Sequence, residues 1–222
     1  MALILVAGIK SYSQETKLLS FGARGGFSLP VLTTDYQPAT QYRLAPVAGG
    51  FIQAKLQSWL AVTCDILYTQ YGGNNINPYT IYYPGSTYLD DLDYLNLKMD
   101  CIEVPVALKL GLPNFTGSVS PFLSVGGAVA FCIQASSHNY YHHEIIDNYP
   151  ILYSATDVVT SSVNTANYSF LIGTGVDFQG DQLNFSFEIY YRIGLSYINY
   201  NQRTYSPDYR ANAFGVKVGI GL

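Results

Sequence analysis

From Leu183 to Tyr197 apolar and polar positions alternate almost without a break. Leu183, Phe185, Phe187, Ile189, Tyr191, Ile193, Leu195 and Tyr197 share one parity; Asn184, Ser186, Glu188, Tyr190, Arg192, Gly194 and Ser196 share the other. Side chains alternate faces along a β-strand, so the pattern predicts a strand with one greasy and one wet face. Soluble strands usually run about 5–6 residues, whereas a membrane-crossing strand needs roughly 9–11. The segment predicts one stave of a transmembrane β-barrel.

Seven further strands follow the same logic. The first covers about Leu18 to Ser28, with Leu19, Phe21, Ala23 and Phe27 opposite Ser20, Gly22, Arg24 and Ser28. The second, about Tyr42 to Leu56, has its phase blurred by Pro46 and Gly49-Gly50. The third, Trp59 to Tyr71, sets Leu60, Val62, Cys64, Ile66 and Tyr68 against Ala61, Thr63, Asp65 and Thr69. The fourth, Tyr94 to Leu110, sets Ile102, Val104, Val106 and Leu108 against Glu103, Ala107 and Lys109. Pro105 in its middle cannot donate to a ladder, so a bulge is expected nearby. The fifth, Val119 to Gln134, carries Leu123, Val125, Val129, Phe131 and Ile133 opposite small or polar residues. The sixth, Asn167 to Phe178, and the last, Arg210 to Leu222, repeat the scheme with Gly173, Gly175, Asp177 and Gly215, Lys217, Gly219, Gly221 on their polar faces.

The connections alternate in length. Short ones fall at Gln57-Ser58, Pro113 to Gly117 and Gln179 to Gln182; long ones fall at about Leu29 to Gln41, Gly72 to Asp93, Ala135 to Ala166 and Asn199 to Tyr209. Short periplasmic turns with long external loops mark outer-membrane barrels. The expected fold is therefore an all-β, eight-stranded, antiparallel up-and-down transmembrane barrel with both termini periplasmic.

Alternation alone also suits a soluble lipocalin-like barrel, and polarity separates the two. A water-facing wall needs a dense charged coat, but only 12% of the residues are charged, against about 25% in ordinary soluble proteins. With the apolar face in lipid, Arg24, Asp65, Glu103, Lys109, Asp177, Glu188, Arg192 and Lys217 point into the lumen. Buried charges are costly unless paired, and this set holds equal numbers of acids and bases. An eight-stranded barrel is just wide enough for side chains to fill, so a plugged lumen is expected.

The 21 tyrosines suit aromatic belts. Tyr68, Tyr71, Tyr94, Phe131, Tyr168, Tyr197, Tyr200 and Phe214 are expected at the outer rim; Trp59, Phe178 and Phe185 at the other. A net charge of −4 argues against a nucleic-acid partner; lipid, and other outer-membrane proteins, are the expected contacts. The three cysteines, Cys64, Cys101 and Cys132, do not make a disulfide framework or a metal-type pair and read as small apolar residues. Residues 1–14 contain a short apolar run, Ala2 to Ile9, then a small-polar stretch. This fits a signal peptide lacking its basic region, or an ordered N-terminal segment. A cut near Gln14 would leave 15–222 as a single barrel domain.

Several segments carry a resemblance: FGARGGFSL, CIEVPVALKLGL, SPFLSVGGAVAF, GTGVDF with LNFSFEIYYRIGL, and the closing FGVKVGIGL. Over about Phe21 to Leu222 the chain resembles the PorT-like, Bacteroidetes-type outer-membrane β-barrel family. The resemblance implies an outer-membrane location and, through PorT, a tie to type IX secretion; its motifs are wall strands, specific for fold rather than activity.

No nucleophile elbow, phosphate loop, dinucleotide fingerprint or zinc-protease motif is present in the sequence, and no cofactor is expected. His138, His142, His143 and Glu144 form the one metal-like constellation, in the longest expected loop. The leading expectation is a non-enzymatic structural or accessory barrel in an outer-membrane assembly. The alternatives are a small-solute channel and a surface adhesion or binding barrel acting through its loops.

Overall fold

The computed structural model describes residues 18–34, 40–76, 91–112, 118–144, 150–180, 183–198 and 209–222. Nine strands account for most of them: β1 (Leu19–Thr33), β2 (Ala45–Gln57), β3 (Leu60–Ile76), β4 (Asp91–Gly111), β5 (Val119–Glu144), β6 (Pro150–Val158), β7 (Ala166–Gln179), β8 (Asn184–Gly194) and β9 (Arg210–Gly221). A short 3-10 helix, Thr160–Ser162, joins β6 to β7.

Every pairing is antiparallel, and the ring runs β1-β2-β3-β4-β5-β7-β8-β9 and back to β1. Ring closure is set by Gly22 to Thr33 of β1 lying opposite Gly221 to Arg210 of β9. A closed ring satisfies every wall strand's backbone from its two neighbours, which is what a sheet needs in hydrocarbon. The described ends, Leu18 and Leu222, lie together at the end bearing the short turns, where Leu222 N–H donates to the Phe21 carbonyl and Lys55 N–H to that of Leu18.

Eight strands thus make the wall, and the ninth, β6, is an addition. Sequence periodicity predicts a loop over about Ala135 to Ala166. Instead β5 continues to Glu144, and β6 turns back along it from Ser136↔Val158 to Glu144↔Pro150. Strand β4 likewise begins at Asp91 and pairs with this extension of β5. A three-stranded sheet, β4-β5-β6, therefore stands beyond the ring at the long-loop end.

The irregularity expected near Pro105 is displaced. Pro105 stays in register opposite Ala128, and the ladder to β3 passes from Cys64↔Val106 to Leu67↔Glu103 without a shift. The ladder to β5 shifts instead at Leu92/Tyr94 and at Asp100/Cys101. At the latter both Ile133 and Gln134 of β5 are exposed, so the strand's parity reverses: Ala130 and Cys132 point inward before the bulge, Ala135, Ser137 and Asn139 after it. The leader expected over residues 1–14 and the turn 113–117 lie outside the described residues.

Candidate functional site

The wall's outward face is apolar. Phe21, Phe27, Ile52, Ile66, Val106, Leu108, Leu123, Phe131, Ile172, Phe187, Ile193, Val218 and Ile220 are all exposed. The inward face carries the charges, the reverse of a soluble ligand-binding barrel. No helix among the described residues is long and apolar enough to cross a membrane. The crossing element is the sheet itself.

The eight charges named from the sequence all face the lumen and form three tiers. Nearest the short turns, Lys109 Nζ lies 2.6 Å from Asp177 Oδ1, with Asp177 partly exposed at the mouth. In the middle, Arg24 and Lys217 alternate with Asp65 and Glu188. Arg24 Nη1 is 2.6 Å from Asp65 Oδ2 and 3.9 Å from Glu188 Oε2; Lys217 Nζ is 3.3 Å from Glu188 Oε2 and 3.9 Å from Asp65 Oδ2. Ser124 donates to Glu188 Oε1 at 2.7 Å. Toward the long-loop end, Arg192, fully buried, donates through Nη1 to Glu103 Oε2 at 2.8 Å. Each acid has a base within reach, the condition under which charges tolerate an interior.

Aromatic residues facing inward complete the tiers; sequence reading set Tyr190 on the polar face of its strand but missed Phe51, Tyr71 and Phe122 as lumen groups. Arg24 lies over Phe51 (4.5 Å), Lys109 over Phe122 (3.8 Å), Arg192 over Tyr71 (3.8 Å) and Lys217 over Tyr190 (4.7 Å). A cation over a ring face is attracted by the ring quadrupole, more strongly where water is excluded. The signal was available in parity: Phe51, Tyr71, Phe122 and Tyr190 each share the parity of polar neighbours. The Tyr190 side chain lies against its cross-strand partner Gly215, where a Cβ would overlap two ring carbons and the hydroxyl oxygen. That close approach explains the glycine on the lumen face of β9.

Tyr71 is therefore corrected from rim to lumen. It is 1% exposed and packs against Arg192, because odd positions of β3 point inward. Trp59, Phe178 and Phe185 are exposed at the short-turn end, and Phe131, Tyr168, Tyr197 and Phe214 are exposed toward the other end. Tyr68 is half-buried there, its hydroxyl donating to Asp100 at 2.5 Å. Tyr94 stands farther out, stacked on Tyr140 with centroids 4.4 Å apart. Lys98 and Asp100 separate it from Ile102 on the same face of β4, so Tyr94 belongs to the projecting sheet rather than a rim. Tyr200 lies outside the described residues.

Above the charged tiers the polarity of the strands inverts. The inward residues Leu95, Leu97 and Met99 of β4 join Leu32, Ile76, Val159, Val163, Ile198 and Tyr209 in an apolar core. The outward residues become polar: Lys98 bonds Asp100 at 3.2 Å, and Gln70 donates to Asp100 at 2.9 Å. The lumen is thus filled by paired charges through the belt and capped by apolar packing beyond it.

Of the metal-like constellation, His138 alone has a described side chain. His138 Nδ1 lies 2.6 Å from Thr156 Oγ1, and its ring meets Tyr140 edge-on. His142, His143 and Glu144 fall on β5, not in a loop, and their side chains lie outside the described set. Among the described residues no group of three or more His, Cys, Asp or Glu could hold a metal ion.

A closed antiparallel sheet with a lipid-compatible exterior and a charged, filled interior defines a transmembrane β-barrel of the outer-membrane class. Residues 12–200 match the family described as outer membrane protein beta-barrel domain, and the chain belongs to that family and to the outer membrane. Among solved structures it is similar to Neisserial surface protein A (10% identity, TM-score 0.47, covering 91% of this chain and 96% of that one). It is also similar to Ail, the attachment invasion locus protein of Yersinia pestis (10%, 0.42, 91% and 98%). A third likeness is to the outer membrane protein OprG of Pseudomonas aeruginosa (10%, 0.44, 91% and 95%). No curated protein matches the chain in sequence.

Proposed function

We propose that this protein is a non-enzymatic, non-conducting barrel that anchors a binding surface in the outer membrane, serving as a structural or accessory subunit of a larger outer-membrane assembly. One observation carries the reading: the lumen is closed by three tiers of ion pairs, while β4, β5 and β6 run on past the lipid-facing residues. A barrel filled in this way has no route for solutes, so its work falls to what it presents outside the membrane. In this reading the long-loop end is extracellular and both termini are periplasmic, as expected for short periplasmic turns. The motif resemblance supports a PorT-like, Bacteroidetes-type lineage, for which a type IX secretion-like machine is one candidate assembly.

Two measurements test this. Purified barrel in planar bilayers gives no conductance steps above background; discrete steps would reinstate the channel alternative. Extraction in mild detergent recovers the barrel with other outer-membrane proteins; recovery as a lone monomer would contradict the subunit role. A second reading, a surface adhesion barrel, is favoured by the Tyr94–Tyr140–His138 cluster on the projecting sheet. Removing β6 while keeping the ring would abolish adhesion on that reading.

A further inference from the structure

The geometry points to a cross-strand disulfide between Cys101 and Cys132, formed as the chain passes the oxidising side of the inner membrane. The two residues lie directly opposite each other on β4 and β5. Both are buried on the inward face, between the Arg192–Glu103 pair and the apolar cap. Cys132 N–H donates to the Thr165 carbonyl on its other side (2.8 Å), so Cys101 and Cys132 form a non-hydrogen-bonded pair in their shared ladder. Such pairs have Cα atoms about 4.5 Å apart with their side chains closest. That separation lies within the range of roughly 4.4–6.8 Å that a disulfide bridges.

Cys101 Sγ lies 3.7 Å from the Met99 carbonyl oxygen of its own strand. The structure carries both as thiols. Cys64 takes no part: it is exposed on the lipid face of β3. An odd cysteine count therefore resolves into one facing pair and one outward residue.

Outer-membrane chains cross a compartment where disulfides form and persist. The oxidant is a dithiol oxidase, acting before the ring closes over the pair. The thiolate of Cys101 attacks the oxidase disulfide, forming a mixed disulfide and expelling one oxidase thiolate. The thiolate of Cys132 then attacks Cys101 Sγ, closing the S–S bond and expelling the second oxidase thiolate. Two electrons pass to the oxidase. The two protons lost by the substrate thiols are balanced by protonation of the two oxidase thiolates.

The test uses the full chain from outer membranes, denatured with iodoacetamide and no reductant, then weighed intact. One carbamidomethyl adduct before reduction and three after it are expected, with a Cys101–Cys132 cross-linked peptide in the digest. Three adducts before reduction would overturn the proposal, as would a cross-link involving Cys64. A second readout uses the barrel's conversion from folded to unfolded mobility on heating in detergent. Reductant should lower the conversion temperature of the native chain and of Cys64→Ser, and leave that of Cys101→Ser unchanged. Equal sensitivity of all three, or of none, contradicts the assignment.

Discussion

The lipid belt and the projecting sheet are made from the same strands and obey opposite rules. On β4, even positions point outward throughout. Below the bulge they are Ile102, Val104, Val106 and Leu108; above it they are Asp100, Lys98, Asn96 and Tyr94. The inward positions change in the contrary sense, from Glu103 and Lys109 to Met99, Leu97 and Leu95. β4 keeps its parity across the change, and what differs is the medium outside the wall. Hydrocarbon outside selects apolar outward residues and leaves charges to pair within; water outside selects the ordinary arrangement with a dry core. The boundary falls at Asp100/Cys101, where β5 inserts its bulge between the exposed Ile133 and Gln134.

The largest break in this comparison comes from splitting a lumen pair. Glu103→Ala leaves the fully buried Arg192 without its carboxylate and should cost about 3–5 kcal/mol in denaturant unfolding from lipid vesicles. Adding Arg192→Met should recover most of the loss, because the uncompensated charge is removed with its partner. Next in size, Leu97→Ala in the cap should cost about 2–5 kcal/mol, the usual penalty for a buried cavity. Leu108→Ala in the belt should cost clearly less, since lipid fills the space it leaves.

A charge placed outward sharpens the contrast. Val106→Arg in the belt should cost about 2–4 kcal/mol, the value for a cation at mid-membrane depth. Ser154→Arg, exposed on β6, should fall within about 0.5 kcal/mol of zero. Gly215→Val should cost about 1–3 kcal/mol by pushing the Tyr190 ring off its seat. Unfolding in the same vesicles checks all of these.

Much of the belt was legible because alternation there is long and unbroken. Phe185 to Ile193 and Phe214 to Ile220 announce the wall, and the parity of the eight charges places them inside. Of the projecting sheet, the Tyr94 to Asp100 part of β4 was legible as strand, but the β5 extension and β6 were not, for two physical reasons. At the bulge β5 changes parity, so Ser136 to Glu144 no longer continue the pattern that Leu123 to Ile133 began. Across the water boundary the polarity of each face reverses, so Tyr94 to Asp100 match the belt in phase but oppose it in chemistry. Tyr71 was misplaced through its residue type: tyrosine suggests a girdle, but its odd position on β3 already pointed inward. The contact of Arg192 with Tyr71 was beyond reach for a different reason, since β8 and β3 are not neighbours and face each other only when the ring closes.

Hydrocarbon wets the even face of β4 below Asp100, and water wets it above. Nitroxide probes placed singly at Tyr94, Asn96, Lys98, Asp100, Ile102, Val104, Val106 and Leu108, in a chain whose native cysteines are serine, report it directly in reconstituted vesicles. Collision with oxygen should dominate from Ile102 to Leu108, and collision with a water-soluble nickel complex from Tyr94 to Asp100. Uniform access of the nickel complex along the whole series would contradict it.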